Sequence, residues 1–86
     1  MYKVLFSKEA QKDATKLKRA GLHTKCQMLI DVLRNDPFSL HPPYEKLVGD
    51  LKRFYSRRIN VQHRLIYEIS QSEKIVKILR MWSHYE

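Results

Sequence analysis

The sequence predicts an α+β domain with the element order β-α-α-β-β-β, in which a helical hairpin packs on one face of a small, curved, antiparallel sheet. Three observations support this prediction. Two segments of the first half carry apolar residues at helical spacing. Three segments after Gly49 are rich in β-branched and aromatic residues and are separated by short polar turns. With 86 residues, the chain has room for a single domain, which we assign to residues 1–86.

The first strand leads directly into the first helix. Residues 2–6 (YKVLF) are apolar and β-prone, and Ser7 is a favourable N-cap for a helix over residues 8–20. Gly21 is placed to end this helix. The apolar residues of the helix recur at i, i+4 and i+7 and predict one narrow stripe that faces the core: Ala10, Ala14 and Leu17.

The second helix has a broader apolar face. It is predicted to end at Asp36, because the residue before Pro37 disfavours helical geometry. Cys26 is the only cysteine, so no internal disulfide can form, and we assign it to the core as a small hydrophobe. The residues predicted to face the core are Leu22, Cys26, Leu29, Ile30 and Leu33.

An irregular loop and three strands complete the predicted domain. Residues 37–46 hold all three prolines and predict an ordered crossing over the surface. Strands are predicted over residues 51–59, 63–70 and 73–85, and consecutive short turns make them an antiparallel meander.

Strand alternation assigns these residues to the two faces of the sheet. Arg58 and Arg64 then lie near or opposite one another, and a bound anion would relieve their repulsion, although solvent can also make it small. Arg57 points away from this pair, and we expect it at the surface. The helix-facing side receives Tyr55, Ile59, Leu65, Tyr67 and Ile69, and the open face receives Phe54, Ser56, Arg58, Arg64, Ile66 and Glu68.

The charge balance predicts an anionic partner. The chain has 17 Lys and Arg residues against 9 Asp and Glu residues, a formal charge of +8. Such a field favours polyanions such as nucleic acids, and a merely solubilising surface is the alternative. No apolar run is long enough to cross a membrane, and the first residues lack the apolar region of a signal peptide. We therefore expect a cytoplasmic protein without membrane contact.

Residue types and spacing argue against several kinds of site. One cysteine and four scattered histidines give no zinc pattern, and the only glycines, Gly21 and Gly49, give no phosphate-binding loop. The carboxylates are too dispersed to suggest a two-metal nuclease. We expect neither a metal nor another cofactor, which leaves acid–base chemistry by side chains.

Cleavage of RNA through its own 2′-hydroxyl requires a base, positive donors around phosphorus and an acid for the leaving 5′-oxygen. Glu45, in the proline-bounded loop and expected to be partly desolvated, is the candidate base. Arg58 and Arg64 are the candidate stabilisers of the transition state, and His84 is the candidate acid. For Glu45 and His84 taken alone, an ordinary solvated position is the competing interpretation.

Other residues around these candidates have predicted roles. Tyr85 can stack on a nucleobase or place its hydroxyl near phosphate, or it can simply anchor the chain end. His41 and His63, in a loop and near a turn, are assigned to solvent-exposed positions. Further contacts to RNA are expected from five basic residues: Lys46, Lys52, Arg53, Arg57 and Arg80.

Four short segments carry a family resemblance: EKL at residues 45–47, FYSRRI at 54–59, HRLIYEI at 63–69, and the ending His84-Tyr85. In this order and spacing they resemble the YoeB/Txe toxins of bacterial toxin–antitoxin modules, within the RelE superfamily. The resemblance covers the second half of the chain well, whereas the helical hairpin agrees only in pattern. Val48 stands where relatives often carry a basic residue, and Glu86 extends past their usual terminal tyrosine.

The resemblance implies a microbial-ribonuclease-like fold and an mRNA interferase that cleaves messages in the ribosomal A site, in contact with rRNA. It implies Glu45 as general base, Arg64 as transition-state arginine and His84 as general acid, with Arg58 and Tyr85 assisting. It also implies a cognate YefM/Axe-like antitoxin, whose acidic segment covers the basic face and through which alone the toxin reaches operator DNA. Homodimers occur among relatives, and one is compatible with this chain.

Two other functions remain open at this point. A gyrase-inhibiting toxin like the ParE branch of the same superfamily shares the scaffold without needing an acid–base set. A non-catalytic nucleic-acid-binding or co-repressor module would bind through Arg58 and Arg64 and would not depend on Glu45 or His84. DNA breaks with intact mRNA would favour the first alternative, and an effect that survives loss of Glu45 and His84 would favour the second.

Overall fold

The computed structural model describes residues 1–82, and within them the predicted order of helices and strands is confirmed with one short strand added. Neither helix of this part of the chain has the length and apolar character needed to cross a membrane. The elements are β1 (Lys3–Phe6), α1 (Lys8–Arg19), α2 (His23–Asn35), β2 (Glu45–Lys46), β3 (Phe54–Arg58), β4 (Arg64–Ser70) and β5 (Ile75–Arg80), with a 3₁₀ turn at Gly49–Leu51.

The sheet has the strand order β1-β5-β4-β3-β2. The predicted meander is confirmed, because β3, β4 and β5 pair antiparallel in sequence. The prediction of a wholly antiparallel sheet is wrong for β1, which runs parallel to β5 at one edge. Parallel pairing needs a long crossover connection, and the helical hairpin and the meander together supply one.

The added strand β2 lies at the other edge of the sheet. It has two residues, Glu45 and Lys46, which pair with Ser56 and Tyr55 of β3. A strand this short shows no alternation in the sequence, so the loop prediction for residues 37–46 missed it. Of the residues predicted to open β3, Leu51 ends the 3₁₀ turn Gly49–Leu51, and residues 52 and 53 continue as a turn. Gly49 begins this turn with a φ of 69°, in the left-handed region. β3 therefore begins at Phe54.

Both helices bury the predicted apolar faces against the sheet. The Ser7 hydroxyl caps α1 by accepting a hydrogen bond from the Ala10 amide at 3.0 Å, and it donates to the Leu79 carbonyl at 2.7 Å. The cap thus also ties α1 to β5. Cys26 is 3% exposed, and burial raises the pKa of its thiol to about 11, as suits a core residue. The buried core is formed by Ala10, Leu17, Cys26, Leu29, Ile30, Leu33, Ile59, Leu65, Tyr67, Val76, Ile78 and Met81.

A buried carboxylate interrupts the apolar stripe of α1. Asp13 is 2% exposed and accepts hydrogen bonds from Nε of Arg80 at 2.9 Å and from the Met81 and Trp82 amides at 3.0 and 3.2 Å. Burial alone would raise the pKa of Asp13, but these bonds and the charge of Arg80 outweigh it, so the pKa lies below its ordinary value. Asp13 was not predicted, although its spacing from Ala10 and Leu17 places it on the stripe.

The same contact gives Arg80 a structural role in addition to the RNA-binding role predicted for it. The sequence assigned this residue to RNA binding, but its guanidinium holds both carboxylate oxygens of Asp13 on α1. The Arg80 side chain is still 44% exposed, so its contact with RNA stays a prediction. Arg80 also connects β5 to α1.

Candidate active site on the open face of the sheet

The pairing of β2, β3 and β4 brings the predicted base and both predicted arginines to one face. Arg58 pairs directly with Arg64 across β3 and β4, as the strand alternation predicts. Glu45 pairs with Ser56 across β2 and β3. Directly paired residues project from the same side of a sheet, and Ser56 and Arg58 share a side because they are two residues apart. The four side chains therefore surround one place on the open face.

Arg64 lies at the centre of this group. Its Nη1 atom is 3.2 Å from Oε2 of Glu45 and 3.4 Å from the Ser56 hydroxyl oxygen. The Arg64 side chain is 16% exposed and the Glu45 side chain 66% exposed. The buried hydroxyl of Ser56 thus holds the Arg64 guanidinium, while the Glu45 carboxylate stays open to solvent. Around them lies a depression of about 300 Å³ lined by Pro43, Tyr44, Glu45, Ser56, Arg58 and Arg64.

One expectation for this site needs correction, and the role of one residue was not predicted. Glu45 is not partly desolvated, because it stands on a two-residue strand at the edge of the sheet, where its side chain is exposed. Ser56 had been placed on the open face without a role, yet it is 1% exposed and its hydroxyl accepts a hydrogen bond from Arg64. Its position two residues before Arg58 on one strand was the signal that could have identified it.

Arg57 is the largest departure from the sequence prediction. It was expected at the surface as an RNA ligand, but it is 0% exposed and lies on the helix-facing side, opposite Leu65 of β4. Its guanidinium donates to the hydroxyl of Tyr67 and to carbonyl oxygens of the loop that precedes β2. A buried cation is tolerated where its donors all find acceptors, and this loop supplies them.

The other basic residues predicted to bind RNA remain exposed. Lys46 and Lys52 are solvent-accessible, and the Arg53 side chain is 76% exposed. The guanidinium carbon of Arg53 lies 4.9 Å from the centre of the Phe54 ring, and its Nε lies 3.8 Å from Glu68. Such an exposed ion pair contributes little to stability, so Arg53 can be redirected to a phosphate at small cost.

The histidines and the chain end divide into three cases. His41 is exposed, as predicted. His63 is 4% exposed and stacks on Trp82 with ring centres 3.7 Å apart, so the prediction of a solvent-exposed His63 is wrong. The flat ring of Trp82, far along the chain, covers it. His84 and Tyr85, the predicted acid and its neighbour, lie outside the described residues.

No group of three or more metal-ligating side chains comes together within residues 1–82. The chemistry that the described site can perform follows from its charges. One exposed carboxylate can take a proton, and two guanidinium groups on adjacent strands can hold a phosphate between them. The geometry thus fits a phosphate-containing substrate with a hydroxyl group that gives up its proton to the carboxylate.

The Arg58–Arg64 pair gives a first testable prediction. Replacing Arg58 with glutamine removes a like-charge pair across two strands, so the free energy of unfolding should rise by about 0.2–1 kcal/mol at low salt and by less at high salt. Urea denaturation at two salt concentrations measures this change. Arg19→Gln removes an equal charge from the exposed end of α1 and should not stabilise the protein. An Arg58→Gln variant that is no more stable at low salt would show that the two arginines do not repel.

The sequence matches a known protein family. Residues 6–85 match the family profile described as the YoeB-like toxin of bacterial type II toxin-antitoxin systems. The chain is 36% identical over 76 residues to the toxin YoeB of Synechocystis, covering 88% of this chain and 79% of that protein.

Solved structures show the same architecture. The YoeB/ParE toxin from Agrobacterium tumefaciens superposes with a TM-score of 0.86 at 28% identity, over 96% of this chain and 99% of that one. YoeB from Staphylococcus aureus, solved in complex with YefM, superposes with a TM-score of 0.80 at 27% identity, over 99% of both chains. A YoeB dimer from Staphylococcus aureus superposes with a TM-score of 0.80 at 28% identity, over 98% of both chains.

Proposed function

The chain belongs to the YoeB-like toxins of bacterial type II toxin–antitoxin systems, and on this basis we propose that it is a ribosome-dependent mRNA interferase. The proposed reaction is metal-independent cleavage of RNA through the substrate's own 2′-hydroxyl. The observation that carries the proposal is the contact between Glu45 and Arg64, 3.2 Å apart in an open depression that also contains Arg58. A base and a phosphate ligand in contact are what the first step of this reaction requires.

In the proposed reaction Glu45 removes the proton of the 2′-hydroxyl while that oxygen attacks the adjacent phosphorus. Arg64 and Arg58 neutralise the charge that develops on the non-bridging phosphate oxygens. The bond from phosphorus to the 5′-oxygen then breaks, and that oxygen takes a proton from the general acid. The products are a 2′,3′-cyclic phosphate and a free 5′-hydroxyl, so no water and no metal-bound nucleophile are consumed in the cleavage.

His84 and Tyr85 are proposed for the remaining roles on the strength of the sequence resemblance. His84 is the general acid, because an imidazolium is available near neutral pH and an adjacent phosphate favours the protonated form. Tyr85 assists by stacking on a base or by bonding to phosphate. The exposed residues Lys46, Lys52 and Arg53 are proposed to contact the mRNA and rRNA backbones.

The proposed partners follow from the charge and from relatives. With a formal charge of +8, the toxin suits a YefM/Axe-like antitoxin whose acidic segment covers Arg58 and Arg64, and the Staphylococcus aureus toxin was solved with YefM. Contact with operator DNA is proposed to occur only through that antitoxin. A homodimer is a further proposed state, as in the YoeB dimer from Staphylococcus aureus. The proposed site of action is the ribosome in the cytoplasm.

A translation extract programmed with a defined message tests the proposal. Purified protein should produce new 5′ ends within the coding region, mapped by primer extension, and these ends should not form when ribosomes are omitted. Arrest of translation with an intact message would overturn the proposed activity. Gyrase-dependent DNA breaks with an intact message would assign the ParE-like function instead.

A further inference from the structure

The buried guanidinium of Arg57 is bonded to one continuous loop. Its Nη2 atom donates to the carbonyl oxygens of Pro37 at 2.9 Å and Ser39 at 2.7 Å, and its Nη1 atom donates to the carbonyl oxygen of Pro42. Its Nε atom donates to the Tyr67 hydroxyl at 2.9 Å. The described partners of this cation are therefore neutral acceptors, and three of them come from the segment between α2 and β2.

That loop ends at the proposed general base. Tyr44, the residue before Glu45, lies over the Arg57 guanidinium at 5.1 Å and packs edge-to-face against Tyr55 at 5.6 Å. β2 itself holds Glu45 through only two paired residues at the edge of the sheet. Two residues of pairing fix a strand weakly, so the position of the Glu45 backbone depends on how well the preceding loop is held.

The two faces of β3 thus have complementary tasks. Ser56 and Arg58 point to the open face beside Arg64, whereas Arg57 between them points to the opposite face and grips the loop. Residues of β3 therefore hold both reacting groups in place. Arg57 holds the loop that leads to Glu45, and Ser56 accepts a hydrogen bond from the guanidinium of Arg64.

We propose that Arg57 is a positioning residue for the general base: by bonding three loop carbonyls and stacking on Tyr44, it holds the carboxylate of Glu45 where it can reach a 2′-hydroxyl beside Arg64. This inference rests on the proposed function, since it names the residue that positions the general base of that reaction. Arg57 itself does not touch RNA. Lysine cannot replace it, because a single ammonium group cannot span carbonyls that a planar guanidinium reaches with separate N–H groups.

A kinetic double-mutant cycle tests the proposal on ribosomes programmed with a defined message. Arg57→Lys should lower the single-turnover cleavage rate at saturating protein by about 10- to 100-fold, with the half-saturating protein concentration changed less than about twofold. In a Glu45→Gln background the same substitution should change the residual rate by less than about threefold, because the group it positions is already inactive. Arg34→Lys, which alters an exposed ion pair on α2, is the matched control and should leave the rate unchanged.

Two further measurements keep the test decisive. Amide hydrogen exchange of residues 37–44 should be faster in Arg57→Lys than in the wild type, while α1 and β5 stay equally protected. If Arg57→Lys does not fold, Tyr67→Phe removes one acceptor of the guanidinium and should lower the rate by about two- to tenfold, again only when Glu45 is present.

The outcomes separate the inference from the function on which it rests. A wild-type protein that does not cleave ribosome-bound mRNA overturns both. A cleaving wild type with an equally active Arg57→Lys variant overturns only the positioning role. An equal loss in the wild-type and Glu45→Gln backgrounds also overturns it, because a merely structural residue would lower both rates by the same factor.

Discussion

Replacing Glu45 with glutamine should lower the single-turnover rate of mRNA cleavage by at least about 100-fold. Glutamine has the same shape, and its carbonyl oxygen can still accept the hydrogen bond from Arg64, but it cannot take up a proton. The affinity for programmed ribosomes should therefore change less than about twofold. Rapid-quench cleavage at saturating protein, together with a binding titration, measures both quantities.

Glu73→Gln is the matched control for this experiment. Glu73 is an exposed carboxylate in the turn between β4 and β5, so the substitution changes the net charge equally without touching the depression around Arg64. It should cleave at the wild-type rate. A Glu45→Gln enzyme that retains more than a tenth of the wild-type rate would remove Glu45 from the role of base, and a parallel loss of affinity would indicate a binding role instead.

Replacing Asp13 with alanine should reduce the free energy of unfolding by about 2–4 kcal/mol. The change leaves the Met81 and Trp82 amides without their acceptor and Arg80 without its ion-pair partner. In a domain of this size, each kcal/mol lowers the melting temperature by about 4–8 °C. Chemical denaturation of the two proteins at neutral pH measures the difference.

Asp31→Ala provides the comparison for a surface carboxylate. Asp31 pairs with Arg34 on α2, and both side chains are largely exposed, so its loss should cost less than about 1 kcal/mol. Equal losses for Asp13→Ala and Asp31→Ala would contradict the importance assigned to the buried contact.

The pH dependence of the Asp13 contribution has a defined sign. Its pKa in the folded protein lies below the ordinary value of 3.8, so the ionised carboxylate stabilises the fold at pH values above 3.8. As the pH falls below 3.8 and passes through the lower folded-state pKa, this contribution is lost. The stability difference between the wild type and Asp13→Ala should therefore shrink in acid, and a difference that grows in acid would show that the pKa is raised.

The sequence predicted those parts of the fold that repeat a simple period. The helical spacing in α1 and α2 and the alternation in β3 and β4 each extend over several residues, so helix faces, sheet faces and the Arg58–Arg64 register could be derived. β2 is too short to show a period, and the parallel placement of β1 depends on contacts with β5 at the other end of the chain.

The site was predictable where it depended on one strand and its neighbour. Arg58 and Arg64 follow from alternation. The predicted carboxylate of Glu45 lies 3.2 Å from Arg64. Arg57 was misplaced because a charged residue in a strand is ordinarily exposed, and its burial depends on carbonyl groups of a distant, proline-rich loop. No local pattern records that the loop folds back over the strand.

The adjacency of Arg57 and Arg58 on opposite faces of β3 limits how this gene can vary. A single substitution at either codon replaces one side chain and leaves the other arginine on its own face. An insertion or deletion of one codon in β3 before Arg57 would exchange the faces of the two arginines, placing the loop-binding arginine in solvent and the phosphate ligand in the interior. The length of this strand should consequently be inherited as strictly as its two arginines, so active members of such a lineage should carry no one-codon insertion or deletion before Arg57.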